Sequence, residues 1–126
     1  MADLSITAAN VGVSSTVAKA NTVTAGEAIT RGMAVYLDST DSNKAKKALN
    51  TAAATATVYG IAQSEAAADG DIILVQTVGG IKTGASMTKG QAYYLSTTAG
   101  KICPFADLDT NDYIFLVYRA DSTTTA

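Results

Sequence analysis

The chain has 126 residues, of which 16% are charged, with a mean hydropathy of +0.17 and a net charge of −2. That length suits one domain burying roughly two-thirds of its unfolded surface, and the composition excludes intrinsic disorder. A pI near 4.8 argues against the broad positive surface that phosphate backbones require, so no nucleic-acid partner is expected.

The N-terminus carries no basic region followed by an apolar one, and no run approaches the roughly 18 apolar residues of a membrane span. No membrane partner and no signal-directed export are expected. Residues 1–22 are rich in Ser, Thr and Ala and read as an N-terminal arm, in which Leu4-Ser5-Ile6 alternates like a strand able to add to another chain. Residues 23–120 read as a single β domain and residues 121–126 as a C-terminal tail.

Within that domain the sequence repeats. Thr24–Thr40, TAGEAITRGMAVYLDST, aligns without gaps on Lys82–Thr98, KTGASMTKGQAYYLSTT, so that one constant offset carries the first copy onto the second. Gly26/Gly84, Thr30/Thr88, Gly32/Gly90, Ala34/Ala92, Tyr36/Tyr94, Leu37/Leu95 and Thr40/Thr98 are identical. Each copy reads as a turn, a short strand, a second turn at Arg31-Gly32 or Lys89-Gly90, and a strand, Met33–Leu37 or Gln91–Leu95. A pseudo-twofold arrangement of the two units is expected, with Tyr36 and Tyr94 in equivalent environments.

Lys44–Leu49 is expected to pair back on Met33–Leu37, with Lys44 and Lys46 on one solvated face. Asn50 is a candidate N-cap for a turn or two of helix across Thr51–Ala56, the only helix expected. Val58–Ala62, Ile72–Val78 and Tyr113–Tyr118 read as buried strands, and IILVQTV, bounded by Asp69-Gly70-Asp71 and Gly79-Gly80, reads as buried on both faces. The fold expected is all-β, a compact barrel or tulip-like sandwich built from two similar hairpin units.

The chemistry is sparse. The chain has no histidine, which removes Ser-His-Asp and Cys-His catalysis and every histidine metal site. The single cysteine, Cys103, cannot form an internal disulfide and, beside Pro104, reads as a small buried hydrophobe, so folding in a cytoplasm is the default. Asp107, Asp109 and Asn111 have the spacing that opens a calcium loop. However, Asp112 stands where the loop needs glycine, and no glutamate closes it. Gly84–Gly90, GASMTKG, has the wrong order for a phosphate loop, and Asp69 and Asp71 read as turn residues. No enzyme activity, cofactor, metal or small-molecule substrate is expected.

Six tyrosines against two phenylalanines favour half-buried interface positions. Tyr93 and Tyr94 point to opposite faces of one strand, so both are covered only if another chain covers one of them.

Several motifs, taken in order, resemble the small decoration, or cement, proteins of tailed-phage heads. They are Ala2-Asp3-Leu4-Ser5-Ile6, Gly32-x-Ala34-x-Tyr36-Leu37, Val58-x-Gly60-Ile61-Ala62, Gly70-Asp71 leading to Val75-Gln76-x-x-Gly79, and Gly90-x-Ala92-Tyr93-Tyr94-Leu95-Ser96-x-x-x-Gly100-x-Ile102. The resemblance implies a β-barrel or tulip-like module, most often a homotrimer, made in the host bacterial cytoplasm and seated on the major capsid protein at the outer surface of the virion. Leu4, Ile6 and Tyr93 are then the candidate capsid- or subunit-binding residues. Two alternatives remain at this level: a tail or other virion adhesion module, and a biotinyl- or lipoyl-type β carrier domain. Lys82 and Lys89 lack the flanking residues that a carrier lysine has.

Overall fold

A computed structural model describes residues 3–108, 110 and 112–126. They form ten strands: β1 (Val11–Val13), β2 (Lys19–Thr24), β3 (Ala34–Asp38), β4 (Lys44–Lys47), β5 (Gly60–Ala62), β6 (Ile72–Val78), β7 (Ile81–Thr83), β8 (Ala92–Leu95), β9 (Ile102–Pro104) and β10 (Leu116–Arg119). The fold is all-β, its helical content being two single 3-10 turns at Ala8–Asn10 and Phe105–Asp107. The strands lie in sheets ordered β2-β6-β5-β3-β4, β10-β8-β9 and β1-β7, with every strand pair antiparallel.

The repeat is visible in the hydrogen bonding. Gly32, at φ +94°, and Gly90, at φ +85°, make the same turn in the left-handed region that glycine enters at no steric cost. Gly32 N donates to Ala62 O and Gly90 N to Ala120 O, while Ala62 N donates to Met33 O and Ala120 N to Gln91 O. The register of β3 on β5 (Ala34 opposite Ile61, Val35 opposite Gly60) recurs at the repeat offset in β8 on β10 (Ala92 opposite Arg119, Tyr93 opposite Tyr118). Lys44–Lys47 pairs back on β3 as expected, and β9 occupies the matching place on β8 one residue out of step.

The two units do not pack as a symmetric pair. In the first, an isolated bridge between Ala25 and Ala45 brings the end of β2 beside β4, so the five-stranded sheet curls around Val35, Ala62, Ile73 and Val75. In the second, Tyr93, Leu95, Ile102 and Met87 form another core, and Ala34, Ala48 and Ile61 from the back of the first unit are buried in it. The second unit therefore covers the first, and among the described residues nothing covers the second in the same way. Tyr36 accordingly packs against a buried cluster, whereas its counterpart Tyr94 sits on the outer face against Phe105, ring centroids 5.6 Å apart. The two tyrosines thus have different surroundings, contrary to the equivalent environments expected.

The expected arm and tail are parts of the domain. Leu4 N donates to Ile102 O and Thr7 N to Gly84 O, so the N-terminal segment ties β9 to the end of β7, with Leu4 and Ile6 packed against the second core. Residues beyond it form β1 and β2, which pair with β7 and β6. The C-terminal residues lie along β7, Ile81 and Ala126 exchanging both backbone hydrogen bonds and Thr83 N donating to Thr124 O. The apolar side chains and the orphan backbone groups of β7 and β9 find partners this way, which Ser/Thr/Ala composition does not reveal.

Three local expectations also change. Thr51–Ala56 forms turns rather than a helix, because Asn50 is fully buried and its Nδ2 donates to Leu95 O at 2.9 Å instead of capping. β6 has one exposed face, with Ile72, Leu74 and Val78 outward and Ile73 and Val75 inward. The segment expected as a buried strand over Tyr113–Tyr118 becomes β10, Leu116–Arg119, with Tyr113, Ile114 and Leu116 exposed.

Candidate functional site

Of the three residues singled out for binding, none presents a free side chain. Tyr93 is only 4% exposed, its hydroxyl accepts a hydrogen bond from Thr88 N at 2.9 Å, and its ring lies 6.3 Å from that of Tyr118. It is a core residue, because the alternation of β8 turns Tyr93 and Leu95 inward together. Leu4 and Ile6 are half-buried against their own chain, as described above.

No three His, Cys, Asp or Glu side chains among the described residues are grouped to hold a metal. In the calcium-like segment, Asp109 and Asn111 lie outside the described residues. Asp71 Oδ2 accepts from Ala67 N and Ala68 N at 2.8 and 3.1 Å, so it shapes the turn before β6. Cys103 is buried, and desolvation, reinforced by the nearby charge of Asp3, pushes its thiol up to about 11. A thiol held protonated at neutral pH is a poor nucleophile.

The charged residues cluster on β4. Lys44 Nζ lies 3.0 Å from Asp69, Lys46 Nζ 2.8 Å from Asp38 and 3.2 Å from Asp41, and Lys47 Nζ 3.8 Å from Glu27. The Lys46 hydrogen bond, helped by Thr40, holds the Asp38 carboxyl down at about 2, and the same bond raises Lys46. Lys44 and Lys46 share a face as expected, but both are ion-paired rather than merely solvated. A row of paired lysines on an outer strand also discourages edge-to-edge pairing with another sheet.

Two clefts open on the surface. One, of about 210 Å³, is lined only by uncharged residues, among them Val58, Ile81, Phe115, Val117, Tyr118 and Ala126. The hydroxyl of Tyr118 is buried without a hydrogen-bond partner, and desolvation raises its pKa. The other, of about 350 Å³, is hydroxyl-rich, with Ser5, Thr7, Asn10, Lys82, Ser86 and Thr124 around it. Neither brings an acid and a base together.

The surfaces that stand out are apolar. On β6, Ile72 is 70% exposed and shares its side of the strand with Leu74, and Val78 beyond the bulge is exposed as well. On the outer face of the second unit, Leu116 lies opposite Tyr94, and Phe105 and Ile114 are exposed as well. Sequence reasoning missed the first because every outward residue of IILVQTV except Thr77 is apolar while the one amide, Gln76, is inside. Gln76 is satisfied there by Gln63 Nε2, which donates to its Oε1 at 2.7 Å, and by Gly80 O, which accepts from its Nε2 at 2.9 Å. The register shift at Lys19/Ala20 skips Thr77, so Val78 follows a bulge. Comparison with family models, curated proteins and solved structures finds no match.

Proposed function

We propose that this chain is a non-enzymatic structural module that decorates the outer surface of a tailed-phage head, seated on the major capsid protein and reinforcing it. The observation that carries this reading is the exposed apolar side chains of β6, Ile72 and Leu74 on one face and Val78 at the strand's end. Exposed apolar side chains gathered on one face mark protein contact surfaces, and a shell lattice offers each copy a flat protein surface. The sequence resemblance supplies the kind of partner and the homotrimer as the association state. Two of its motif glycines, Gly32 and Gly90, make the turns that lead into β3 and β8.

Sedimenting purified protein with undecorated heads of the phage that encodes it tests the proposal. Saturable binding is expected, with Leu74→Lys reducing affinity by tenfold or more, since a charge buried unpaired at an interface costs roughly 2 kcal/mol or more. Failure of the wild-type protein to bind heads at any ratio, together with its absence from virions, would sink the reading.

A further inference from the structure

The hydroxyl-rich cleft is built where the two ends of the chain meet at β7. Three segments contribute to it: residues 5–10, residues 82–86 and residues 124–125. They are fastened to one another. Thr7 N donates to Gly84 O at 2.8 Å, Thr83 N donates to Thr124 O at 3.0 Å, and Thr83 Oγ1 donates to the same oxygen at 3.3 Å. The first two segments also approach closely, since a Cβ at Gly84 would lie 2.6 Å from Thr7 O. The concavity is therefore formed in advance, and little ordering remains to be done on binding. At about 350 Å³ it has the size of a small-molecule site, for which roughly 300–1,000 Å³ is usual.

Its lining defines the ligand. Ser5, Thr7, Ser86 and Thr124 bring four hydroxyls, Asn10 a carboxamide and Lys82 an ammonium, and no acid or aromatic ring lines the cleft. All six positions are exposed, and among the described residues none of these side chains is engaged in a hydrogen bond or ion pair, whereas each lysine of β4 is paired with a carboxylate. Hydroxyls and carboxamides both donate and accept, which suits a ligand whose own groups do the same. A lone ammonium adds one negative charge to that description. An apolar ligand would strand six polar groups, and a bare anion would fill only a small part of the cleft. We infer that the cleft binds an acidic sugar, a ring carrying several hydroxyls and one carboxylate, with the carboxylate held by Lys82 and the hydroxyls by the five neutral side chains. The cleft shares no residue with β6, so the inference stands apart from the decoration reading.

Titration of isotope-labelled protein with sodium glucuronate at constant ionic strength, followed by amide chemical shifts, tests the inference. Saturable shifts confined to the three segments are expected. Glucose keeps the hydroxyls and lacks the charge, so it should bind about two- to fivefold more weakly, the worth of one exposed ion pair. Lys82→Gln should abolish the preference for glucuronate over glucose, and Thr124→Val should weaken both sugars, each variant keeping the wild-type melting temperature. A uronate oligomer that binds more tightly than the monomer makes a polysaccharide the source of the ligand, and equal affinity makes it the free sugar acid. No saturable shift in the cleft at tens of millimolar glucuronate overturns the inference. So does a preference for glucuronate that survives Lys82→Gln, and so does acetate or inorganic phosphate binding as tightly as glucuronate, which would make the cleft a plain anion site.

Discussion

The two units begin from nearly the same hairpin and are finished by different means. The first is closed from within: β6 lies against β5, and the Ala25–Ala45 bridge joins the ends of the sheet. The second is closed by the ends of the chain, with residues 4–7 linking β9 to β7 and the last residues lying along β7. The difference is written at one pair of positions. A side chain at Gly60 would place its Cβ 2.4 Å from Gln76 O of β6, so glycine is required where that strand crosses. Its counterpart in the second unit is Tyr118, a large ring that packs against the second core where no strand crosses. A repeat in sequence thus preserves the hairpin and leaves its completion to whatever segment is at hand.

The sharpest break of this comparison is to remove the borrowed closure. Deleting residues 1–7 exposes the sites of Leu4 and Ile6 and frees Ile102 O and Gly84 O; two apolar side chains at about 1.5–3 kcal/mol each for full burial, half of it realised here, give a loss of about 1.5–3 kcal/mol. Urea unfolding should show that loss, and amide exchange should rise at β9 and β7 before β3 and β5. Uniform exchange and an unchanged midpoint would mean that the segment only rests on the surface.

A smaller effect compares the equivalent glycines. Gly32→Val and Gly90→Val both force a branched residue into the left-handed region, at about 1–3 kcal/mol. At Gly32 the added Cβ also meets Ile6 Cγ2 at 2.8 Å and Val11 Cγ2 at 2.9 Å, while at Gly90 it meets nothing within 4 Å. Gly32→Val should therefore be the more destabilising by about 1–3 kcal/mol of overpacking, readable as a lower urea midpoint. Equal midpoints would show that the N-terminal residues move aside freely.

Much of this was legible in advance, for definite reasons. The constant offset between the two copies fixed both hairpins, and the glycines fixed their turns, because positive φ leaves few alternatives. The core of β8 and the fate of Tyr93 were not legible, since alternation says that two tyrosines face opposite ways without saying which way is in. The termini were misread because Ser, Thr and Ala strands bury little and resemble linkers until their backbone partners are known. Leu4-Ser5-Ile6 reads as a strand able to add to another chain, whereas these residues form no strand and Leu4 N donates to Ile102 O of their own chain.

Thiol chemistry reports on the second unit alone. With its thiol near 11 rather than the usual 9.0, Cys103 should react with a disulfide reagent at pH 8 about 100-fold more slowly in the folded protein than in urea, from the loss of thiolate alone. Comparable rates would indicate that the second unit opens readily.

The smallest effect belongs to the first unit. The Asp38 carboxyl is held at about 2 against an ordinary 3.8, so its contribution is complete above about pH 4 and is lost as pH falls through 2. Asp38→Asn should lower stability slightly and constantly at neutral pH, the difference closing in acid. A gap that persists at pH 2 would assign the effect to packing instead of charge.

The hydrogen bond from Ser96 Oγ to the Asp3 carboxylate spans 93 positions of sequence, and it has a consequence for how the molecule is made. During synthesis the first unit has every strand it needs once β6 has emerged. Asp3 and Leu4, made long before their partners, must wait for Ser96 and for Ile102 of β9. Folding is therefore vectorial for one unit and not for the other, whose closure brings residues 3–7 to β9 and Gly84 and residues 124–126 to β7. Such high-contact-order closure is slow, and it makes two segments that read as linkers in sequence the latch of the finished domain.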